Sequence, residues 1–392
     1  MKFDYKTYME QFLDRDLYLK YYQRKEEVFT KLENASMNGW MKPDVSCVAH
    51  ILEVRDEVVK HSSCLVVIGI GGSFLGSCAF YSMFTPYFKE SNFPIIYAGT
   101  TLSSNYMSEL LEYLEDVDFS VNVISKSGTT METSITYLAI KKLMEKKYSK
   151  EEMKSRIIIT TDARDGNLRK EVEEEGYPSF VIPDNIGGRY SLLTPAHLFP
   201  LSFVLDINEL ISGYFKGLEF REDAFLYAVI RRTMFDQGKV VENFVTYEED
   251  MANYMEWLKQ LFGETEGKEG RGILPISMVH TRDLHSLGQF VQEGNKILFE
   301  TFFKVLSSSS CVTSLGDLKD INLLVEDAVI HAHVKGGVPC IAIELEEKSP
   351  KVLGEVSSFF FLVAAYSGYL FDINPFDQPG VEVYKSEVRE RL

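Results

Sequence analysis

The sequence predicts an α/β protein with two domains, each a doubly wound parallel sheet flanked by helices, and with peripheral helices at the N-terminus. Three observations carry this. Short, continuously apolar runs alternate with helical stretches, which is the pattern of strands buried on both faces. The length of 392 residues suits two or three cores of roughly 100 to 200 residues each. The alternation also stops once, over a helical connection at 193–236, and then starts again.

Residues 1–45 place apolar positions at helical spacing among many charges, which predicts helices packed on a larger core. CLVVIGI (64–70) is the first buried strand, followed by a Gly-rich turn and a helix from about Gly76. PIIYAG (94–99), SVNVISK (120–126), RIIIT (156–160) and SFVIP (179–183) continue the series, with a helix over 131–146. KKLMEKKYSKEEMKSR (141–156) is basic but interleaved with Glu, and reads as a solvated helix face. After the connection, KVVENFVTY (239–247), ILPISMVH (273–280), ETFFKVL (300–306) and CIAIEL (340–345) are strands, and 354–371 is an apolar helix. The expected boundaries are an N-terminal helical segment at 1–48, a first domain at 49–210, a second at 211–375 and a C-terminal segment at 376–392. No sequence repeat relates the halves, so a duplication would be structural.

The charge of -17, from 58 acids against 41 bases, opposes broad binding to nucleic acid or to anionic membrane surfaces. Cys47, Cys64, Cys78, Cys311 and Cys340 are widely spaced, without a C-x-x-C pair, and give neither a disulfide framework nor a zinc site. The first residues lack the apolar core of a secretory signal, so a cytoplasmic location is expected. The greasiest stretch, Phe359 to Phe371, is broken by Ser367 and Gly368 and is shorter than the roughly 18 residues of a membrane span. It reads as a buried helix.

VVIGIGGSFLGS (66–77) sets Gly69, Gly71, Gly72 and Gly76 between a strand and a helix, where backbone amides converge on an anion. A dinucleotide fingerprint would need Gly where Phe74 stands, and a Walker loop would need Lys where Ser77 stands. A tight turn that merely requires glycine accounts for the loop equally well. The second loop, Ser125-Lys126-Ser127-Gly128-Thr129-Thr130, adds four hydroxyls at a helix N-terminus, where capping needs only one. That excess favours a phosphomonoester. In DNIGGRYSLLTP (184–195), Arg189 follows a Gly pair; in LGQFVQEGNK (287–296), Gln289 and Glu293 share a helix face. His331 and His333 would share a face if that segment is extended, but no third metal ligand stands at a telling spacing. Lys385 closes NPFDQPGVEVYK (374–385).

Together GIGGSFLG, SKSGTTMET, GGRYS, QFVQEGNK, AHVKGGVP and NPFDQPGVEVYK resemble the phosphoglucose isomerase family, of the bacterial glucose-6-phosphate isomerase type. The resemblance runs in family order over about three quarters of the chain. It implies two sugar-isomerase (SIS) domains and a glycolytic and gluconeogenic aldose–ketose isomerase, without metal or organic cofactor. Gly72, Ser73, Ser125, Lys126, Ser127, Gly128, Thr129 and Thr130 would form the phosphate region, and Gln289 would help bind the sugar. Glu293 would be the base that moves a proton between C2 and C1 through a cis-enediolate. Arg189 would stabilise the oxyanion, and His333 and Lys385 would share the proton transfers of ring opening. His331 is the neighbouring candidate, because the segment Ser307 to Ile330 is abbreviated. The resemblance further implies a homodimer with a shared active site. Isomerases of mannose or aminosugar phosphates, and a non-catalytic phosphosugar sensor, are the competing readings; the sensor would lack Glu293 or Lys385 and would carry a basic nucleic-acid-binding module.

Overall fold

The runs CLVVI, FSVNVI and IIITT become strands in which every residue is buried, as expected of parallel strands covered on both faces. The computed structural model describes residues 1–89 and 91–391. It divides into two units by chain contacts, a first of Ser36–Ile207 and a second of Met1–Ala35 with Asn208–Leu392.

Strands are labelled in chain order, starting with β1 (Lys2–Asp4). The first unit holds β2 (Cys64–Ile68), β3 (Ile95–Ala98), β4 (Phe119–Ile124), β5 (Ile157–Thr161) and β6 (Ser179–Val181). They form a parallel sheet in the order β3-β2-β4-β5-β6. Register places Val66 opposite both Ile96 and Val121. Met144, Ile140 and Tyr137 of the Met131–Lys147 helix pack into the core beneath β2 and β4. The basic stretch 141–156 departs from a wholly solvated face. It breaks at Tyr148, restarts with a Ser149–Glu152 capping box, and turns two cations inward. Lys147 Nζ donates to the carbonyls of Leu114, Glu115 and Val117, and Arg156 is buried.

The second unit holds β7 (Val241–Thr246), β8 (Leu274–Val279), β9 (Leu298–Ser307), a small hairpin of β10 (Val312–Thr313) with β11 (Gly316–Asp317), and β12 (Cys340–Glu347). The sheet order is β1-β12-β9-β7-β8. The sheet is parallel as expected apart from the short edge strand β1, which pairs antiparallel with β12, Lys2 facing Glu344. The 1–48 segment is not one peripheral piece. Residues Met1–Ala35 group with the second unit through β1 and through the Lys25–Glu33 helix, whose Phe29 stacks on Tyr366 with ring centroids 5.1 Å apart. Sequence periodicity misses β1 because three residues cannot display an alternation.

The parallel strands share a leading topology: in each sheet the first of them (β2, β7) lies between the second (β3, β8) and the third (β4, β9). The duplication is therefore structural. The core of the second unit also contains a buried ionic cluster. Arg231 pairs with Glu242 and, at 2.8 Å, with Glu266, all three with no side-chain exposure. The Pro350–Leu370 helix is long and apolar enough to cross a membrane, yet 94% of its apolar window is buried inside the protein.

Candidate active site

In an open α/β sheet the ligand crevice lies outside the carboxyl ends of two neighbouring strands whose connections leave in opposite directions. In the first sheet those strands are β2 and β4. Their following loops are Gly69–Phe74 and Ser125–Thr130, the two phosphate candidates. A cavity of about 430 Å³ opens there, lined by Ser73, Ser125, Lys126, Ser127 and Thr130 together with Thr133, Asp162 and Asp165. Gly72, Gly128 and Thr129 shape the turns but are not part of that lining.

The second loop leaves the helix that follows it without a side-chain cap. Thr130 occupies the N-cap position of the Met131–Lys147 helix, but its side chain makes no capping bond. Its hydroxyl lies 3.3 Å from Ser125 Oγ, and the first helical amides stay available to a ligand. Gly128 adopts φ +65, which turns its amide onto Ser125 Oγ at 3.1 Å; Ser127 Oγ accepts from the Thr129 amide at 3.2 Å. Thr133 is 2% exposed and its Oγ1 has no protein partner. Lys126 donates to the carbonyls of Pro183 and Asp184 and pairs with the Asp184 carboxylate at 3.3 Å. Backbone amides of Arg164 and Asp165 hold the Asp162 carboxyl below its ordinary range, so it is an anion beside the cavity.

The GGRYS turn packs directly on the first loop. A Cβ at Gly72 would stand 2.3 Å from the Gly188 carbonyl carbon, so glycine is required by close approach of two backbones. Arg189 is 2% exposed, beside the Tyr190 ring, which stacks on Trp40. It does not line the cavity.

In the second unit, Gln289 and Glu293 lie on the Gly288–Glu293 helix, both exposed, and Gln289 Nε2 donates to Glu293 Oε2 at 2.7 Å. Gly294 caps that helix in an extended conformation, and glycine is required there because a Cβ would stand 2.5 Å from the Phe290 oxygen. His333 contradicts the extended reading of its segment, which is helical from Leu318 to Lys335. Residues two apart on a helix point to different sides. Thus His331 is exposed against the Asp327 carbonyl, whereas His333 is 3% exposed with Nδ1 2.6 Å from the fully buried Glu300 carboxylate. Asn243 Nδ2 holds the other Glu300 oxygen at 2.7 Å. Lys385 pairs with Glu382 at 2.9 Å on the exposed Pro379–Arg391 helix, which has no buried residue.

Residues 53–309 match the phosphoglucose isomerase family. The glucose-6-phosphate isomerase of Staphylococcus saprophyticus is 43% identical over 364 residues, covering 87% of this chain and 82% of that protein. The chain belongs to the phosphoglucose isomerase family. Among solved structures, a hypothetical protein from Thermus thermophilus superposes with a TM-score of 0.87 at 26% identity, over 100% of this chain and 99% of that one. A glucose-6-phosphate isomerase from Chlamydia trachomatis gives 0.76 at 21% identity, over 90% and 74%, and shows the shared fold.

For a phosphoglucose isomerase, the structure adds residues that motif reading passed over. Thr133, Asp162 and Asp165 line the cavity together with the Ser125–Thr130 loop. Asp162 was findable as the residue just after β5, at the same carboxyl edge. His285 is exposed and ends the 3-10 turn Arg282–His285, which follows β8 and precedes the Gly288–Glu293 helix. Among the described residues no group of three His, Cys, Asp or Glu could hold a metal ion.

Proposed function

We propose that the protein interconverts glucose 6-phosphate and fructose 6-phosphate, as an aldose–ketose isomerase working by general acid–base catalysis through a cis-enediolate. The observation that carries this is the β2–β4 cavity, where Ser125, Ser127, Thr130 and the uncapped helix amides suit the terminal oxygens of a phosphomonoester. Relatives named glucose-6-phosphate isomerase support the choice of sugar.

A carboxylate takes the C2 proton and returns it to C1. Its oxygens can pass one proton between adjacent carbons without release to solvent. The base is Glu293, aligned by Gln289. Arg189 stabilises the enediolate oxyanion, and Lys385 and His333 serve ring opening. Steady-state kinetics of Glu293→Gln test the assignment of the base. Loss of turnover with retained phosphosugar binding supports it, and a wild-type kcat overturns it.

The enzyme is further proposed to be a cytoplasmic homodimer. Val312 and Leu315 of the β10–β11 hairpin and Leu318 just after it are exposed apolar residues that a partner chain could cover. Sedimentation equilibrium at one chain mass would remove that part of the proposal.

A further inference from the structure

The Leu75–Phe84 helix starts without help from its own N-cap residue. Phe74 occupies that position and offers no side-chain acceptor. The amide of Ser77 in the first turn instead donates to His197 Nδ1 at 3.0 Å, across 120 residues of sequence. This contact fixes the tautomer: Nδ1 accepts, so Nε2 carries the proton. His197 Nε2 then donates to the Gly72 carbonyl at 2.8 Å, and Ser191 Oγ lies 3.1 Å from the same nitrogen. Ser191 Oγ is itself 3.2 Å from the Gly72 carbonyl and 2.6 Å from that of Gly188. The imidazole is 1% exposed, and its Cε1 would lie 3.0 Å from a Cβ at Gly76.

We infer that His197 is a positioning residue for phosphate binding, clamping the Gly71–Ser73 turn against the first turn of the following helix and against the GGRYS turn. The inference rests on the proposed phosphate cavity. Its physical content is division of labour among donors. By taking the Ser77 amide, His197 satisfies one orphan donor of the helix. By holding the Gly72 carbonyl, it keeps that oxygen turned away from an incoming anion, which a carbonyl pointing into the cavity would repel. Ser73, adjacent to Gly72, is thereby held at the cavity wall.

The test uses inorganic phosphate binding by calorimetry on the full chain, so that it does not depend on turnover. His197→Phe keeps a ring in the packed space and removes both bonds; His197→Gln keeps a donor for the Gly72 carbonyl. His197→Phe is expected to raise the phosphate Kd and the KM for fructose 6-phosphate about tenfold, with kcat changed less than about threefold. His197→Gln is expected to recover most of the phosphate affinity. A wild-type phosphate Kd in folded His197→Phe overturns the inference, as does equal weakening in both variants in step with their melting temperatures. Absence of isomerase turnover in the wild type, with phosphate binding still responsive to His197, would instead fail the isomerase reading and leave His197 as the clamp.

Discussion

Gly128 offers a sharp test of the phosphate loop, because the cost of adding one methyl group can be worked from its surroundings. At φ +65 an alanine pays the left-handed penalty of roughly 1–2 kcal/mol. Its Cβ would also stand 3.1 Å from the Leu168 amide nitrogen and 3.3 Å from that of Asn167, so the loop or the Asn167–Glu175 helix must give by a few tenths of an ångström. Because Gly128 N donates to Ser125 Oγ, such a shift misaligns the serine presented to the phosphate. Gly128→Ala is therefore expected to lower the melting temperature by about 2–8 °C. It should also raise KM for fructose 6-phosphate about tenfold, the worth of one weakened charge-assisted bond. Gly238 is the control: it has φ +84 but no atom within 4 Å of the Cβ position. Gly238→Ala should lose stability with KM unchanged. If Gly128→Ala behaves as Gly238→Ala does, with KM untouched, the loop does not hold the phosphate.

Arg231→Met would leave Glu242 and Glu266 without their cation at positions with no side-chain exposure, and should destabilise the protein by about 3–5 kcal/mol in denaturant titration. A loss below about 1 kcal/mol would show that the cluster is hydrated. Burial, with little help from charges, pushes the Glu326 carboxyl up from 4.5 to about 8. The folded chain thus keeps a proton that the unfolded chain releases, so stability falls as pH rises from about 4.5 to about 8, by about 3 kcal/mol at pH 7. Glu326→Gln should flatten that profile and raise stability at pH 8 while leaving pH 4.5 unchanged; parallel profiles would refute the assignment. Burial pushes the buried His197 imidazole down to about 4, so its protonation opposes folding only as pH falls from about 6.5 toward 4. The loss in that window, about 3 kcal/mol, should be absent in His197→Gln.

The strands CLVVI, FSVNVI and IIITT were legible because burial on both faces leaves an uninterrupted apolar run. The Ser125–Thr130 loop stood out because four hydroxyls in six residues exceed what capping requires; the structure places it on a cavity and shows Thr130 making no cap. What sequence spacing could not convey was side-chain direction. His331 and His333 were read with a period of two, and the helix separated them, one into solvent and one onto Glu300. Nor could local pattern reveal partners joined only by tertiary packing: His197 to Gly72, Arg231 to Glu266, or β1 on β12. Lys385, legible as a motif residue, stands on a helix whose own Glu382 takes its charge.

The measurement that bears most directly on the central claim is turnover of fructose 6-phosphate by the purified chain, followed through coupled oxidation of the glucose 6-phosphate formed, with mannose 6-phosphate and an aminosugar phosphate run beside it. The account predicts turnover with fructose 6-phosphate well above the other two, at a KM that rises when Ser127 or Thr130 is replaced by alanine. Binding of fructose 6-phosphate without turnover would make the protein a sensor, and preference for mannose or aminosugar phosphate would contradict the assigned substrate.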